Sequence, residues 1–77
     1  MEIEIISFGK IAEFLPGQKL ELKEIKDTEA LKTFLEQDYP ALKGMKYKLA
    51  LNQQLVQQNR ELTNHCTIAI MPPFSGG

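Results

Sequence analysis

Strand-like alternation at both ends of the sequence, around a single stretch of helical spacing, is the feature that most constrains this chain. Near the start, Ile3 and Ile5 alternate with Glu2 and Glu4. Near the end, Cys66, Ile68 and Ile70 alternate with Thr67, Ala69 and Met71. A period of two puts one set of side chains on one face of a strand and the other set on the opposite face. Both segments therefore predict half-buried strands, and Ile6 and Phe8 extend the first apolar run. Between them, Leu31, Phe34 and Leu35 form an apolar stripe with Ala30 beside it, while Lys32, Glu36 and Gln37 are expected to face water. Asp27 or Thr28 can cap this helix by accepting a hydrogen bond from a first-turn N–H, and Glu29 suits the positive end of its dipole. Pro40 closes it, because the residue before a proline, Tyr39, is pushed out of helical geometry.

The remaining segments complete a sheet. Ile11, Phe14 and Leu15 predict a short helical turn, ended by Pro16-Gly17. Lys19 to Lys23 alternates, with Leu20 and Leu22 on one face, so the first two strands read as a hairpin. Tyr47, Leu49 and Leu51 alternate with Lys46, Lys48 and Ala50 in a third strand. Asn52 tolerates a left-handed turn, Leu55-Val56 reads as a short strand, and residues 57 to 64 read as a polar connection. One helix over one face of a mixed sheet of four to five strands is an α+β domain.

Composition narrows the function classes. At 77 residues the chain is sized for one domain. It is 43% hydrophobic and 25% charged, the balance of a soluble globular protein. No apolar run approaches the ~20 residues of a membrane span, and the opening residues do not follow the pattern of a signal peptide. Neither nucleic acid nor membrane is expected as a partner: the net charge is −1 and the lysines form no stripe. One cysteine and one histidine are too few for a disulfide or a structural zinc site. A single unpaired cysteine suits the cytoplasm.

Only the last residues, Pro72-Pro73-Phe74-Ser75-Gly76-Gly77, differ in character. This divides the chain into a domain over 1–71 and an extended tail over 72–77. Two prolines lack N–H donors and favour a stiff, extended path, and six residues could project roughly 20 Å. Gly76 and Gly77 carry no side chain, so their backbone can enter a narrow slot. By composition alone, two glycines would close only about 0.5% of chains.

The element order is that of the β-grasp fold, and the sequence resembles the molybdopterin synthase small-subunit family, ubiquitin-like sulfur carriers of the MoaD/ThiS type. The residues that carry the resemblance are Phe8-Gly9-Lys10-Ile11-Ala12-Glu13 after the first strand, Ala50-Leu51-Asn52-Gln53-Gln54-Leu55-Val56 in the central hairpin, and Met71-Pro72-Pro73-Phe74-Ser75-Gly76-Gly77 at the end. The chain departs from the family at Asn64-His65-Cys66, where an Asp-Gly-Asp type turn is usual, and at Phe74, bulkier than the usual Val.

The resemblance implies a non-catalytic sulfur donor. Gly77 is the working residue, first as a glycyl adenylate and then as a thiocarboxylate (1-thioglycine), and Pro72, Pro73, Phe74, Ser75 and Gly76 guide it into partners. Those partners are an ATP-dependent adenylating enzyme and the large catalytic synthase subunit, with which the family forms a heterotetramer of two small and two large subunits. The chain itself binds no cofactor or metal; ATP and magnesium belong to the activating partner. The sulfur goes to a cyclic pyranopterin phosphate. The alternatives are a sulfur carrier for thiamine or tRNA thiolation, with the Pro72-Pro73 pair favouring molybdopterin over thiamine carriers, a plain interaction module, and a protein modifier attached to lysines, which shares the tail chemistry. Adjacent His65 and Cys66 offer a thiol beside a base, but Cys66 is in phase with Ile68 and Ile70. A buried, inert thiol and an exposed turn histidine are therefore expected. Some of the surplus apolar residues, among them Ile6, Phe14, Met71 and Phe74, are expected to form an exposed patch at the root of the tail.

Overall fold

The computed structural model describes residues 1–72. The chain forms strand β1 (Glu2–Ser7), a 3-10 turn (Gly9–Glu13), β2 (Gln18–Glu21), helix α1 (Thr28–Asp38), a second 3-10 turn (Pro40–Gly44), β3 (Lys48–Leu51), β4 (Gln54–Leu55) and β5 (Cys66–Met71). The five strands form one sheet in the order β2-β1-β5-β3-β4. The first and last strands pair in parallel at its centre, and the other pairings are antiparallel. This is the expected mixed sheet with one main helix.

Register explains why one face becomes core. Ile3 lies opposite Cys66, Ile5 and Leu51 flank Ile68, and Leu49 lies opposite Ile70. These inward residues share one buried cluster with Leu31 and Leu35 of α1. Each such side chain, fully buried, contributes about 1.5–3 kcal/mol. The 3-10 turns close the ends of the layer by burying Ile11 and Leu42.

The helix starts where the sequence places it. Asp27 is extended (φ −144°, ψ 172°) and its side chain accepts a 2.8 Å bond from the Ala30 N–H. Thr28, the other candidate cap, is instead buried, where its hydroxyl donates to Asn59 Oδ1 and accepts from the Arg60 N–H. Tyr39 leaves helical geometry at φ −129°, as the following proline requires.

Four boundary or exposure expectations need correction. The second strand is Gln18–Glu21, not 19–23, and Leu22 is buried just beyond it. The third begins at Lys48, and Ala50 on its outer face is also buried. The short fourth strand is Gln54–Leu55, one residue earlier than expected, because Asn52 (φ 48°) and Gln53 (φ 72°) form a two-residue left-handed hairpin turn. Lys32 and Glu36 are half-buried beside Tyr47, whose hydroxyl donates to Glu36.

The polar connection is also more than a loop. Its single large apolar residue, Leu62, is buried, and the Leu62 N–H donates to Lys26 O at 2.8 Å. Asn59 Oδ1 accepts from the Glu29 N–H, and the Thr28 N–H donates to Arg60 O. The segment thus supplies partners for backbone groups of the first helical turn that have none within the helix.

Candidate functional site

The tail leaves from the end of β5, which lies between β1 and β3. Pro72 is therefore rooted near the middle of the sheet. The Phe8 N–H donates to Ile70 O at 3.0 Å, extending the β1–β5 pairing past Ser7. Gly9 then turns the chain at φ +60°. The Pro72 ring packs against Gly9: a Cβ there would meet Pro72 Cγ at 3.1 Å. Of the residues assigned to the tail, Pro72 is the one placed; Pro73, Phe74, Ser75, Gly76 and Gly77 lie outside the described residues.

Beside this root is an apolar band on the face opposite the helix. Ile6 pairs with Ala69, Ala69 with Ala50, and Ala50 with Leu55, one row across four strands. Among the described residues, Ile6, Phe8 and Leu55 are the large apolar side chains left exposed, at 38%, 50% and 45%. Ile6 and Phe8 line a shallow depression with Asn52, Gln53 and Ala69. Met71 is half-buried at the end of β5. Of the four residues named for the root, Ile6 is therefore, among those described, the one exposed there. Phe14 is not part of the patch: it is half-buried and packs against the core cluster. Phe74 lies outside the described residues. Sequence reading missed the row as a unit. Its members are alternate residues of separate strands, and only the register aligns them.

Side-chain chemistry is sparse. Cys66 is 2% exposed within the core, as its phase predicts. His65 is exposed, with Nδ1 3.3 Å from Glu2 Oε1. Its backbone is left-handed at φ +67°, a conformation that costs a non-glycine residue about 1–2 kcal/mol. The turn at Asn64-His65-Cys66 thus keeps glycine geometry without the glycine. It is held by Asn64 Oδ1 accepting from the Glu2 N–H and by the His65 N–H donating to Glu2 O. His65→Gly should stabilise the domain by about 0.5–1 kcal/mol, once the extra chain entropy of glycine is subtracted. A raised urea midpoint at unchanged slope would show this, and a lowered one would refute it.

The phenol of Tyr47 is pushed above its ordinary range by burial, then by its hydrogen bond to Glu36 and the nearby carboxylate charges. That keeps the proton on Tyr47 and makes it a structural donor. Among the described residues no group of three or more His, Cys, Asp or Glu side chains is placed to hold a metal. No helix among them is long and apolar enough to cross a membrane.

Comparison with known proteins matches these features. The ThiS family matches residues 5–77. A Pyrococcus furiosus protein described as subunit 1 of a molybdopterin converting factor superposes with a TM-score of 0.84 at 15% identity, over 95% of this chain and 98% of its own. A chain in the complex of subunits 1 and 2 of the molybdopterin-converting factor from Helicobacter pylori is 26% identical over 100% of both chains, with a TM-score of 0.73. The small archaeal modifier protein 1 of Methanosarcina acetivorans gives 22% identity and a TM-score of 0.73, over 99% of this chain and 96% of its own. With its five-stranded β-grasp sheet, single main helix and a tail rooted at the central strand, the chain belongs to the ThiS family, ubiquitin-like sulfur carriers of the ThiS/MoaD type.

Proposed function

We propose that this protein is the sulfur-carrying small subunit of a molybdopterin synthase. The observation that carries the reading is the 26% identity, over the whole of both chains, to a chain from a complex of molybdopterin-converting factor subunits. The Pro72-Pro73 pair before Gly76-Gly77 supports it. In this reading the Gly77 carboxylate attacks the α-phosphorus of ATP on an adenylating partner. Pyrophosphate leaves and an acyl-adenylate forms. A sulfur nucleophile then displaces AMP, leaving a thiocarboxylate. In the large synthase subunit that sulfur passes to a cyclic pyranopterin phosphate, and an oxygen from water restores the carboxylate.

The division of labour follows from what each part offers. A free carboxylate has a poor leaving group, so activation needs ATP and magnesium on the partner. The tail needs a narrow backbone more than side-chain chemistry, and Gly76-Gly77 provides it. The apolar band around Ile6 and Phe8 gives both partners a surface beside the tail root. Acids, bases and nucleophiles are then supplied by the partners.

A second reading, a protein modifier joined to lysines, draws on the shared fold of the small archaeal modifier protein. It uses the same adenylate and differs in the acceptor. The deciding experiment is reconstitution with the adenylating partner, ATP, a sulfur donor, the large subunit and the cyclic pyranopterin phosphate. Formation of molybdopterin with one sulfur lost per carrier supports the proposal. Thiocarboxylate formation without transfer, accompanied by lysine conjugates, would favour the modifier.

The thiol has no place in this chemistry. Cys66→Ser should retain sulfur transfer while losing about 1–3 kcal/mol of stability, because a hydroxyl replaces the thiol at a buried apolar site. A folded Cys66→Ser protein that no longer transfers sulfur would return the cysteine to the mechanism.

A further inference from the structure

The contact between Gly9 and Pro72 points to a role that the tail chemistry alone does not assign. Pro72 is the first residue after β5, the strand from which the tail departs. Its ring carbons lie 3.1 Å (Cγ) and 3.5 Å (Cδ) from where a side chain at Gly9 would begin. The first distance is tighter than ordinary van der Waals contact. A pyrrolidine ring is closed on its own backbone and cannot swing aside as a long side chain can. A Cβ at position 9 therefore presses on the Pro72 ring, which must give by repuckering or by a shift of its own backbone. The opposite wall is fixed as well, because the Phe8 N–H is bonded to Ile70 O at 3.0 Å.

We propose that Gly9 is a positioning residue for the tail: its missing side chain lets Pro72 lie on the β1 junction, and this contact sets the direction in which the chain leaves the sheet. The role rests on the carrier reading, since it matters only if the segment beyond Pro72 must reach a partner's site. Two properties of Gly9 then have separate consequences. Its left-handed φ of +60° is a folding requirement, which asparagine also tolerates. Its lack of a Cβ is the positioning requirement, which asparagine does not meet.

Gly9→Asn separates the two. The domain should stay folded, with the sheet intact. The KM of the adenylating partner for the carrier should rise about 10-fold, the size of leaving one backbone residue to be ordered on binding. Turnover at saturation should stay within about 2-fold, because the seated carboxylate is unchanged. In a Pro72→Ala background, where the ring carbons are gone, Gly9→Asn should add no further KM effect. An unchanged KM for Gly9→Asn, or the same rise in the Pro72→Ala background, overturns the proposal.

A structural readout keeps this test apart from that of the carrier reading. Wild type should show NMR cross-peaks between Gly9 Hα and the Pro72 ring protons, and Gly9→Asn should lose the corresponding peaks while keeping those of the β1–β5 pairing. Absence of the peaks in wild type overturns the positioning role. If wild type shows them but no adenylating partner activates it, the carrier reading fails and the contact is only structural, which overturns the positioning role too.

Discussion

Adding one alanine after Gly77 should abolish thiocarboxylate formation while leaving the domain folded. The extension converts the Gly77 carboxylate into an amide carbonyl, which cannot form an acyl-adenylate. The new carboxylate lies about 3.5 Å further along an extended chain, and a misplacement of even 1 Å can cost about 100-fold in rate. Folding should hardly change, because the elements that hold the core end at Met71. The measurement is intact-protein mass after incubation with the adenylating partner, ATP and a sulfur donor. Wild type should gain the mass difference between sulfur and oxygen, localised to Gly77. Equal gain by the extended protein, with its alanine still attached, would remove Gly77 from its proposed role.

The second large effect is expected on the sheet's open face. The Ile6→Glu, Phe8→Glu double variant places one carboxylate on the apolar row that continues through Ala69, Ala50 and Leu55 and a second at Phe8, which lines the same depression as Ile6 and Ala69. Both side chains are exposed at 38% and 50%, so the free protein should keep its melting temperature within a few degrees. Seated against a partner, each carboxylate must lose water without an assigned cation. Affinity for the large subunit should fall about 100-fold, or 2.7 kcal/mol. Titration calorimetry against the isolated large subunit measures it, with circular dichroism as the fold control. Wild-type affinity in the double variant would show that the tail alone carries binding.

The two effects act on different steps. The extension should leave affinity for the large subunit close to that of wild type, since the band beside the root is untouched. The double glutamate variant should still be adenylated once saturating partner is supplied, because its terminal carboxylate is intact. Crossing the two assays therefore separates the chemical end of the molecule from its docking face.

Much of this protein is decided by patterns that act over a few residues. Alternation at Ile3 and Ile5 and at Cys66, Ile68 and Ile70 sets which side chains face the core, because successive residues on a strand point in opposite directions. The Leu31 and Leu35 stripe, a cap at Asp27 or Thr28 and the stop at Tyr39-Pro40 define the helix by local geometry, and the structure has them there, with Asp27 as the cap. The buried state of Cys66 follows from its phase. The tertiary structure alone decided what depends on partners distant in sequence. Leu62 sits in a polar run without periodicity and is buried because Lys26 O and the helix start anchor its segment. Gly9 looks like an ordinary turn glycine until β5 delivers Pro72 onto it. Ile6, Ala69, Ala50 and Leu55 form one band only because of strand register, and a shift of one residue between strands would scatter them to opposite faces. Local sequence sets direction and capping within an element, whereas the site at the tail root is made of contacts between elements that only the folded sheet brings together.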